Sequence, residues 1–266
     1  MRRLREDLHE IVREQIEFRE LLVQMTARDL RLRYKQTIMG FGWAIFTPIL
    51  NTLVFSLVFM RVAPVHTEVP YPLFAYCGLL VWNFTASSLR FATTSLTGNT
   101  NLVTKVYFPR EIFPLAAVAV SLVDFAVAAA VLAGLMAHYH VGASATLLLL
   151  PAVLAVHVAF TASLALVLAM ANLFYRDVKY LFEVILTFWM FASAVVYPVD
   201  AVHGTLGQLI RANPMTTIVE AYRRVILYGA PPEPVAFAAV AVFSLLVLPA
   251  AWLLFHRSEF QFAEYI

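Results

Sequence analysis

The chain has 266 residues, of which 61% are hydrophobic and only 14% are charged, with a formal net charge of +2. Soluble proteins average roughly 45–50% apolar and about 25% charged residues. This composition, with a mean hydropathy of +0.77, therefore excludes an ordinary soluble globule and predicts an all-α polytopic membrane protein. Cys77 is the only cysteine, which excludes an intramolecular disulfide bond and a metal site built from paired thiolates.

The first 39 residues are dense in charge and lack the apolar core of a cleavable signal peptide. Apolar residues between Leu8 and Met25 recur near helical spacing, which predicts an amphipathic helix at the membrane surface. Arg28, Arg31 and Lys35 share one face of this helix. This face could anchor the helix to lipid headgroups or dock a cytoplasmic partner, and both interpretations stay open. We expect residues 1–39 to form a cytoplasmic interface helix and residues 40–266 a single transmembrane domain.

Six apolar stretches are long enough, at about 20 residues each, to cross a hydrocarbon core about 30 Å thick. Gly40 and Gly42 stand at the start of the first stretch and are expected to permit close packing where the surface helix turns into it. Pro48 lies inside that stretch, where we expect a kink. The predicted spans are residues 41–60, 71–89, 112–137, 145–171, 181–197 and 235–255.

The distribution of Lys and Arg predicts how these spans are oriented, because both residues are enriched in cytoplasmic loops. If the N terminus is inside, all but four of the nineteen Lys and Arg residues lie in cytoplasmic segments. Both termini are therefore expected in the cytoplasm. The four exceptions are Arg61, Arg211, Arg223 and Arg224.

The loop between spans two and three carries aromatic residues between basic ones. Lys105 and Arg110 flank Tyr107, Phe108 and Pro109. Because a proline disfavours helix at the residue before it, the chain is expected to turn at Phe108. The loop could be an ordinary basic inner loop, or its aromatic residues could be exposed as a partner surface.

Asp124 lies near the middle of the third predicted span, where a carboxylate is costly unless it faces protein or water. One interpretation is a residue of a transport pathway or gate. Another is a helix-packing hydrogen bond, for which the carboxyl could be protonated. A proton-coupled carrier would normally need a chain of titratable groups, which the sequence does not suggest.

The segment between spans five and six, residues 199–234, is too long for a tight turn. Asn213 as a cap and Pro214 at the first helical position predict the start of a helix, and Gly229 suits its end. We expect two short re-entrant helices, because such helices satisfy their own backbone groups. Arg223 and Arg224 could meet lipid phosphates or stand at an external gate.

Five segments of the chain resemble, in order and spacing, the permease subunits of ABC exporters of the type-2 class. The likeness is greatest to the branch that exports O-antigen, capsule and teichoic-acid polysaccharides. The five segments are Arg33–Phe59 (RYKQTIMGFGWAIFTPILNTLVFSLVF), Asn101–Ala116 (NLVTKVYFPREIFPLA), Asn172–Pro198 (NLFYRDVKYLFEVILTFWMFASAVVYP), Asn213–Gly229 (NPMTTIVEAYRRVILYG) and Phe262–Ile266 (FAEYI).

None of the nine glycines is followed by Lys, so the chain lacks the phosphate-binding P-loop of an ATPase. The resemblance implies a permease rather than an enzyme, with ATP and Mg²⁺ bound by a separate nucleotide-binding ATPase subunit and no cofactor in this chain. It also implies that two copies of the chain assemble with two ATPase subunits. The residues expected to couple the chain to the ATPase are Arg28, Arg31, Lys35, Lys105, Tyr107, Phe108, Arg110, Arg176 and Asp177.

The cargo implied by the resemblance is a lipid-linked polysaccharide that leaves the cytoplasm across the bacterial inner membrane. Membrane lipids are the other expected partners, and nucleic acid is not one. Aromatic rings stack on the C–H faces of sugars, so an aromatic conduit would suit a sliding polymer, although each ring could instead lie in a membrane belt or a packed core. The candidate path or gate residues are Tyr76, Trp82, Asp124, Trp189, Tyr197, Arg223 and Arg224.

Three other functions are kept as alternatives. The first is a type-2 ABC exporter of a drug or lipid. The second is a membrane enzyme acting on polyprenyl-linked sugars, which would need acids or histidines clustered at one membrane face. The third is the proton-coupled carrier, supported by Asp124 alone. The seven histidines are scattered, so the spacing predicts no catalytic residues and no metal site.

Overall fold

A computed structural model describes residues 13–35, 37–40, 42–62, 64–105 and 108–265. Over these residues the chain is all-helical, as predicted, and contains no strand. A helical stretch at residues 13–17 precedes the first labelled helix. The helices are α1 Arg19–Tyr34, α2 Gly42–Leu57, α3 Tyr71–Ser95, α4 Thr100–Lys105, α5 Ile112–His138, α6 Leu150–Phe174, α7 Val178–Phe191, α8 Gly204–Ala212, α9 Pro214–Ile226, α10 Pro234–Ser258 and α11 Phe262–Tyr265.

Helix α3 is the centre of the bundle, and it packs against α5, α6 and α2. Most of its side chains are buried, so it meets other helices more than solvent or lipid. Its two ends define the two ends of the molecule. We call the end that holds α4 and α11 the α4 end, and the end that holds α8 and α9 the hairpin end.

Four helical segments are long and apolar enough to span a membrane: Gly42–Arg61, Ile112–His138, Ala145–Phe174 and Pro234–Gln261. They coincide with four of the six predicted spans. Helix α3 is long enough but too polar to qualify, which fits its burial among other helices. Helix α7 has 14 residues and measures about 21 Å at 1.5 Å per residue, less than the hydrocarbon thickness. The count of six spans therefore stays a prediction.

The fifth predicted span, residues 181–197, is helical only as far as Phe191. Beyond it the backbone turns, and Ala194 adopts a left-handed conformation with φ of 49°. The side chain of Arg223 accounts for this early end, because it donates to the carbonyl oxygens of Ala194 and Val195 at 3.0 and 2.5 Å. Those carbonyls therefore have partners outside a helix.

The two short helices expected between spans five and six are present as α8 and α9. Asn213 caps α9 as predicted, since its side chain accepts a hydrogen bond from the backbone N–H of Met215 at 3.0 Å. Gly229 has a φ of +61°, a conformation that favours glycine after a helix end. The hydroxyl of Tyr71, at the start of α3, donates to the carbonyl of Val196 at 2.7 Å, which fixes the turn that follows α7 to the bundle.

Helix α1 packs along α5, and its C-terminal end lies against the middle of that helix. The apolar positions predicted before residue 13 lie outside the described residues. Gly40, which was expected to permit close packing, has nothing within 4 Å of the position of a Cβ atom. Its left-handed φ of 53° is what requires glycine there. The division into residues 1–39 and 40–266 stays a prediction.

A second cluster of buried apolar residues holds the α4 end together. It joins Met25 of α1, Phe108 and Phe113 around the start of α5, and Phe255 and Phe262 near the C terminus. Three parts of the chain that are distant in sequence thus share one small core. This packing places α1, α4 and the C-terminal residues side by side.

A polar aromatic cavity around Asp124

A cavity of about 490 Å³ lies between the C-terminal end of α1 and helices α2, α3 and α5. Its walls alternate between aromatic rings and small polar groups. The aromatic members are Tyr34, Trp43, Trp82, Phe84, Phe91 and Phe125. The polar and charged members besides Asp124 are Arg33, Thr47, Asn51, Asn83, Ser87, Arg90 and Ser121.

Asp124 stands in the wall of this cavity, about 18 Å along α5 from Ile112 at 1.5 Å per residue. The guanidinium of Arg33 forms an ion pair and a hydrogen bond with one of its carboxylate oxygens. The hydroxyl of Tyr34 donates to the other oxygen at 2.6 Å. Both carboxylate oxygens therefore have hydrogen-bond partners on α1, which offsets the free-energy cost of placing a carboxylate inside a span.

Arg33 and Tyr34 are held in place by further interactions. The guanidinium carbon of Arg33 lies 3.8 Å from the ring centroid of Phe91, a cation–π contact that links α1 to α3. Burial raises the pKa of Tyr34 above its usual range, and the hydrogen bond to Asp124 acts in the same direction. The phenol therefore stays neutral and serves as a donor.

Trp82 connects the cavity to α7. It is 5% exposed and packs edge to face against Trp189, with ring centroids 5.6 Å apart. Trp189 lies outside the cavity lining, and its indole N–H donates to the side-chain oxygen of Asn213 at 3.4 Å. Of the two predicted path tryptophans, Trp82 lines the cavity. Trp189 packs behind Trp82 and connects it to the hairpin end.

Arg90 lies at the edge of the cavity, where α3 meets α7. Its guanidinium makes a bidentate pair with Glu183, with N–O distances of 2.6 and 2.9 Å. About half of each side chain is exposed, so the pair is a geometric link between the helices more than a large source of stability.

Tyr76 and Tyr197, which were also predicted as path or gate residues, do not line this cavity. Tyr76 is fully buried, and its hydroxyl donates to the backbone carbonyl of Ala128 at 2.9 Å, so it fixes α3 against α5. The hydroxyl of Tyr197 donates to the carbonyl of Phe191 at the end of α7. Both side chains hold local structure.

Arg223 is fully buried, which corrects its placement at a substrate-accessible gate. Besides the two carbonyls at the end of α7, it pairs with Glu220 at 2.7 Å. Its guanidinium carbon lies 3.6 Å from the ring centroid of Phe74. Through these contacts the side chain of Arg223 joins α9, α7 and α3. Its guanidinium is therefore not available to an anionic substrate.

Arg224 faces a different cavity, of about 440 Å³, at the hairpin end. Its guanidinium donates to the carbonyl of Pro231 at 2.8 Å. Glu68, Asp200 and Glu220 also line this cavity. Arg224 is thus close to acidic groups, at a distance from the Asp124 cavity.

Most of the described residues that were predicted to couple the chain to an ATPase lie toward the α4 end, but they differ in exposure. Lys35 instead follows the end of α1 that lies against the middle of α5. Arg31, Lys35, Lys105, Arg176 and Asp177 are exposed. Arg28 is half-buried and donates to the side chain of Asn99 at 3.0 Å, which ties α1 to the segment before α4. No ion pair joins Arg176 to Asp177 in the described part of the chain.

Two of the predicted coupling residues are turned inward. Phe108 is 6% exposed and packs on Phe113, so it belongs to the core of the α4 end and not to an exposed aromatic surface. Arg110 donates to the backbone carbonyls of Val103 and Glu259 at 3.2 and 2.8 Å. It therefore closes its own loop onto the C-terminal segment. Tyr107 lies outside the described residues.

The sequence did not single out most of the cavity wall. Arg33 and Tyr34 were the most important omissions, because they satisfy Asp124. A signal existed, since a carboxylate inside a span calls for a cationic or hydrogen-bonding partner, and several basic residues stand directly before the first span. Asn51 and Asn83 gave no such signal, because single amides in apolar runs have many structural uses.

Comparison with known proteins places the chain among transporters. It is 29% identical over 259 residues to the O-antigen export system permease protein RfbA of Myxococcus xanthus, covering 96% of this chain and 99% of that protein. It is 26% identical over 248 residues to the O-antigen export system permease protein RfbA of Klebsiella pneumoniae, covering 92% of this chain and 94% of that protein. The family model described as ABC-2 type transporter matches residues 20–227. The chain therefore belongs to the ABC-2 type transporter family.

Proposed function

We propose that the chain is the transmembrane subunit of an ATP-driven exporter that moves a lipid-linked polysaccharide of the O-antigen type across the bacterial cytoplasmic membrane. The chain is a transport subunit that works with an ATP-binding partner, as its family implies. The names of its relatives support the class of cargo. The cavity around Asp124 carries the proposal, because its chemistry matches that cargo.

A glycan needs two kinds of contact, and the cavity offers both. Aromatic rings can stack on the C–H faces of sugars, while side-chain amides and hydroxyls exchange hydrogen bonds with sugar hydroxyls. Trp43, Trp82, Asn51 and Asn83 supply these groups on α2 and α3. A drug or lipid exporter would favour a more uniformly apolar wall. The polar content of this wall therefore supports a carbohydrate cargo.

The pathway is proposed to lie between two copies of the chain. Helix α2 forms one wall of the cavity, yet most of its large apolar side chains are exposed, including Trp43, Phe46 and Leu53. A second copy packed near α2 would enclose the cavity and cover part of this apolar surface. Two ATP-binding subunits would then serve the two copies.

The ATP-binding subunits are proposed to dock at the α4 end, which would face the cytoplasm together with both termini. The distribution of Lys and Arg supports this orientation. Arg31, Lys105 and Arg176 offer exposed positive charge toward that end. A partner with acidic side chains on its membrane-facing surface would fit it.

Helix α1 offers a direct connection between the docking surface and the cavity. Arg28 and Arg31 lie on the same 16-residue helix as Arg33 and Tyr34, which hold Asp124. A displacement of α1 by the ATP-binding subunit would therefore act on the cavity wall. The ion pair with Arg33 also disfavours the proton-coupled carrier, because Asp124 already has a cationic partner.

The proposal can be tested in the native host after deletion of the gene. A plasmid copy of the wild-type chain should restore the long-chain glycan on the cell surface, measured by electrophoresis of surface polysaccharide. Trp82→Ala should reduce the restored amount, because a ring that faces the cavity is lost. Phe243→Ala, at an exposed position on α10, serves as the matched control and should restore it fully. If the wild-type chain did not restore the surface glycan, the proposal would be contradicted.

A further inference from the structure

We propose that Glu14, Glu111 and His256 bind a divalent transition-metal ion at the α4 end. One potential ligand atom of each side chain lies within 4.8 Å of those of the other two. The three residues come from separate segments. Glu14 lies in the helical stretch before α1, Glu111 directly precedes α5, and His256 lies in the last turn of α10. The site is distinct from the Asp124 cavity.

Glu111 is the residue that most needs a further partner. Its side chain is fully buried. One carboxylate oxygen accepts a hydrogen bond from the indole N–H of Trp252 at 3.2 Å. The other oxygen is buried and has no hydrogen-bond partner in the described part of the chain. A buried carboxylate with an unsatisfied oxygen is costly, and a bound cation would remove that cost.

His256 brings a second atom of the same kind. Its Nδ1 is buried and likewise has no hydrogen-bond partner among the described residues. A carboxylate oxygen of Glu259 lies 3.9 Å from this nitrogen, which is too far for a hydrogen bond. Two elements thus bring unsatisfied polar atoms to the cluster.

The neighbouring arginine does not replace the proposed ion. Arg110 is next to Glu111 in sequence, but its guanidinium is directed at Glu259, with 2.8 Å to the backbone oxygen and 3.5 Å to a carboxylate oxygen. No ion pair to Glu111 is formed within the described residues. Arg110 therefore neutralises Glu259 and leaves the carboxylate of Glu111 for another cation.

Two carboxylates and one imidazole suit zinc and similar ions, whereas Mg²⁺ and Ca²⁺ prefer ligand sets made of oxygen alone. Zinc binds such atoms at about 2.0–2.2 Å, so its ligand atoms lie roughly 3.4 Å apart. Small rotations of the side chains would close the present spacing to this value. Trp252 would then orient the bound carboxylate of Glu111, as partners of ligands commonly do.

An ion at this position would tie together three segments that surround the docking surface. The segment before α1, the start of α5 and the end of α10 otherwise meet through the apolar core of the α4 end. Because the ion would bind the folded chain and not the unfolded chain, it would stabilise the folded state. The inference concerns the chain itself and does not depend on the identity of the cargo.

The test is a zinc titration of the full chain, purified in detergent without a histidine tag and stripped with EDTA. Isothermal titration with zinc chloride should show one saturable site per chain, and millimolar magnesium chloride should not compete. Glu111→Gln and His256→Asn should each weaken zinc binding by more than about tenfold. Zinc should raise the unfolding temperature of the wild type and leave that of the two variants unchanged.

Glu68→Gln and His203→Asn are the matched controls, because both residues are exposed and lie outside the cluster. They should bind zinc as the wild type does. If Glu111→Gln does not purify, His256→Asn decides by the same criterion. The absence of a saturable site in the wild type, or equal binding by His256→Asn and the wild type, would overturn the proposal.

Discussion

The two oxygens of Asp124 both find partners on α1, although the residues concerned are about 90 positions apart. The sequence predicted that Asp124 would face protein or water, and it left open a pathway role and a packing role. The structure combines features of both, because the carboxylate is hydrogen-bonded and also lines a cavity. Its partners could not be identified from the sequence, since helical spacing within α1 does not reveal which helix α1 packs against.

The link between Asp124 and Arg33 should be measurable by a double-mutant cycle. Asp124→Asn and Arg33→Gln should each destabilise the chain, and the double variant should lose less than the sum of the two. We expect a coupling free energy of about 1 kcal/mol or more, as for residues in direct contact. The measurement is equilibrium unfolding of the purified chain by titration with SDS.

The matched control for this cycle is the ion pair of Arg211 and Asp200. Its closest nitrogen–oxygen distance is 2.7 Å, but both side chains are largely exposed to solvent. An exposed pair should give a coupling below about 0.5 kcal/mol. Equal coupling for the two pairs would mean that the partly buried setting of Asp124 adds nothing.

Arg223 shows why a residue's role could be mistaken from its position in the sequence. An arginine in an external segment suggested contact with an anionic substrate. The folded chain instead uses it to satisfy carbonyls at the end of α7, with Glu220 as its ion-pair partner. The two carbonyl contacts join residues 28 and 29 positions apart, and no local pattern in the sequence indicates them.

At the scale of elements, apolar length predicted the long helices well. Helices α2, α5, α6 and α10 all begin within about five residues of the predicted spans. Helix α7 ends earlier than its apolar sequence predicts. The contact of Arg223 with the backbone after Phe191 sets its end, although apolar residues continue beyond that point. Of the two short helices at the hairpin end, α9 was predicted from the Asn-Pro signal at Asn213. That signal acts through local hydrogen bonds and is therefore visible in the sequence.

The junction of α3 with the end of α7 depends on a glycine. A Cβ atom at Gly78 would overlap the carbonyl oxygen of Val195 and lie 2.6 Å from a guanidinium nitrogen of Arg223. Gly78→Ala should therefore destabilise the chain by about 1–3 kcal/mol, as overpacking usually does. The unfolding temperature of the purified variant, read by tryptophan fluorescence, measures this effect.

Gly134→Ala is the control for that substitution. Gly134 lies inside α5, and nothing lies within 4 Å of the position of its Cβ atom. Because alanine favours helix over glycine, this variant should be neutral or more stable by roughly 0.5–1 kcal/mol. If Gly78→Ala were as stable as Gly134→Ala, the close approach of α3 to Val195 would be wrong.

At the scale of the whole molecule, the orientation in the membrane is open to a labelling test. Cys77 is fully buried, so a single introduced cysteine can be labelled selectively. With the α4 end in the cytoplasm, a membrane-impermeant maleimide should label Asp200→Cys in right-side-out vesicles. It should label Lys105→Cys only after the vesicles are permeabilised. Labelling of Lys105→Cys in sealed vesicles would reverse the proposed topology.

The central claim is that this chain forms the passage for a lipid-linked glycan while a separate protein supplies the energy. Reconstitution of the chain with its ATP-binding partner in proteoliposomes tests it most directly, with transfer of a lipid-linked O-antigen glycan into a compartment protected from an added glycosidase as the readout. We predict that transfer requires both proteins and hydrolysable ATP. Transfer by the chain alone, driven by an ion gradient or by its own ATP hydrolysis, would contradict the account.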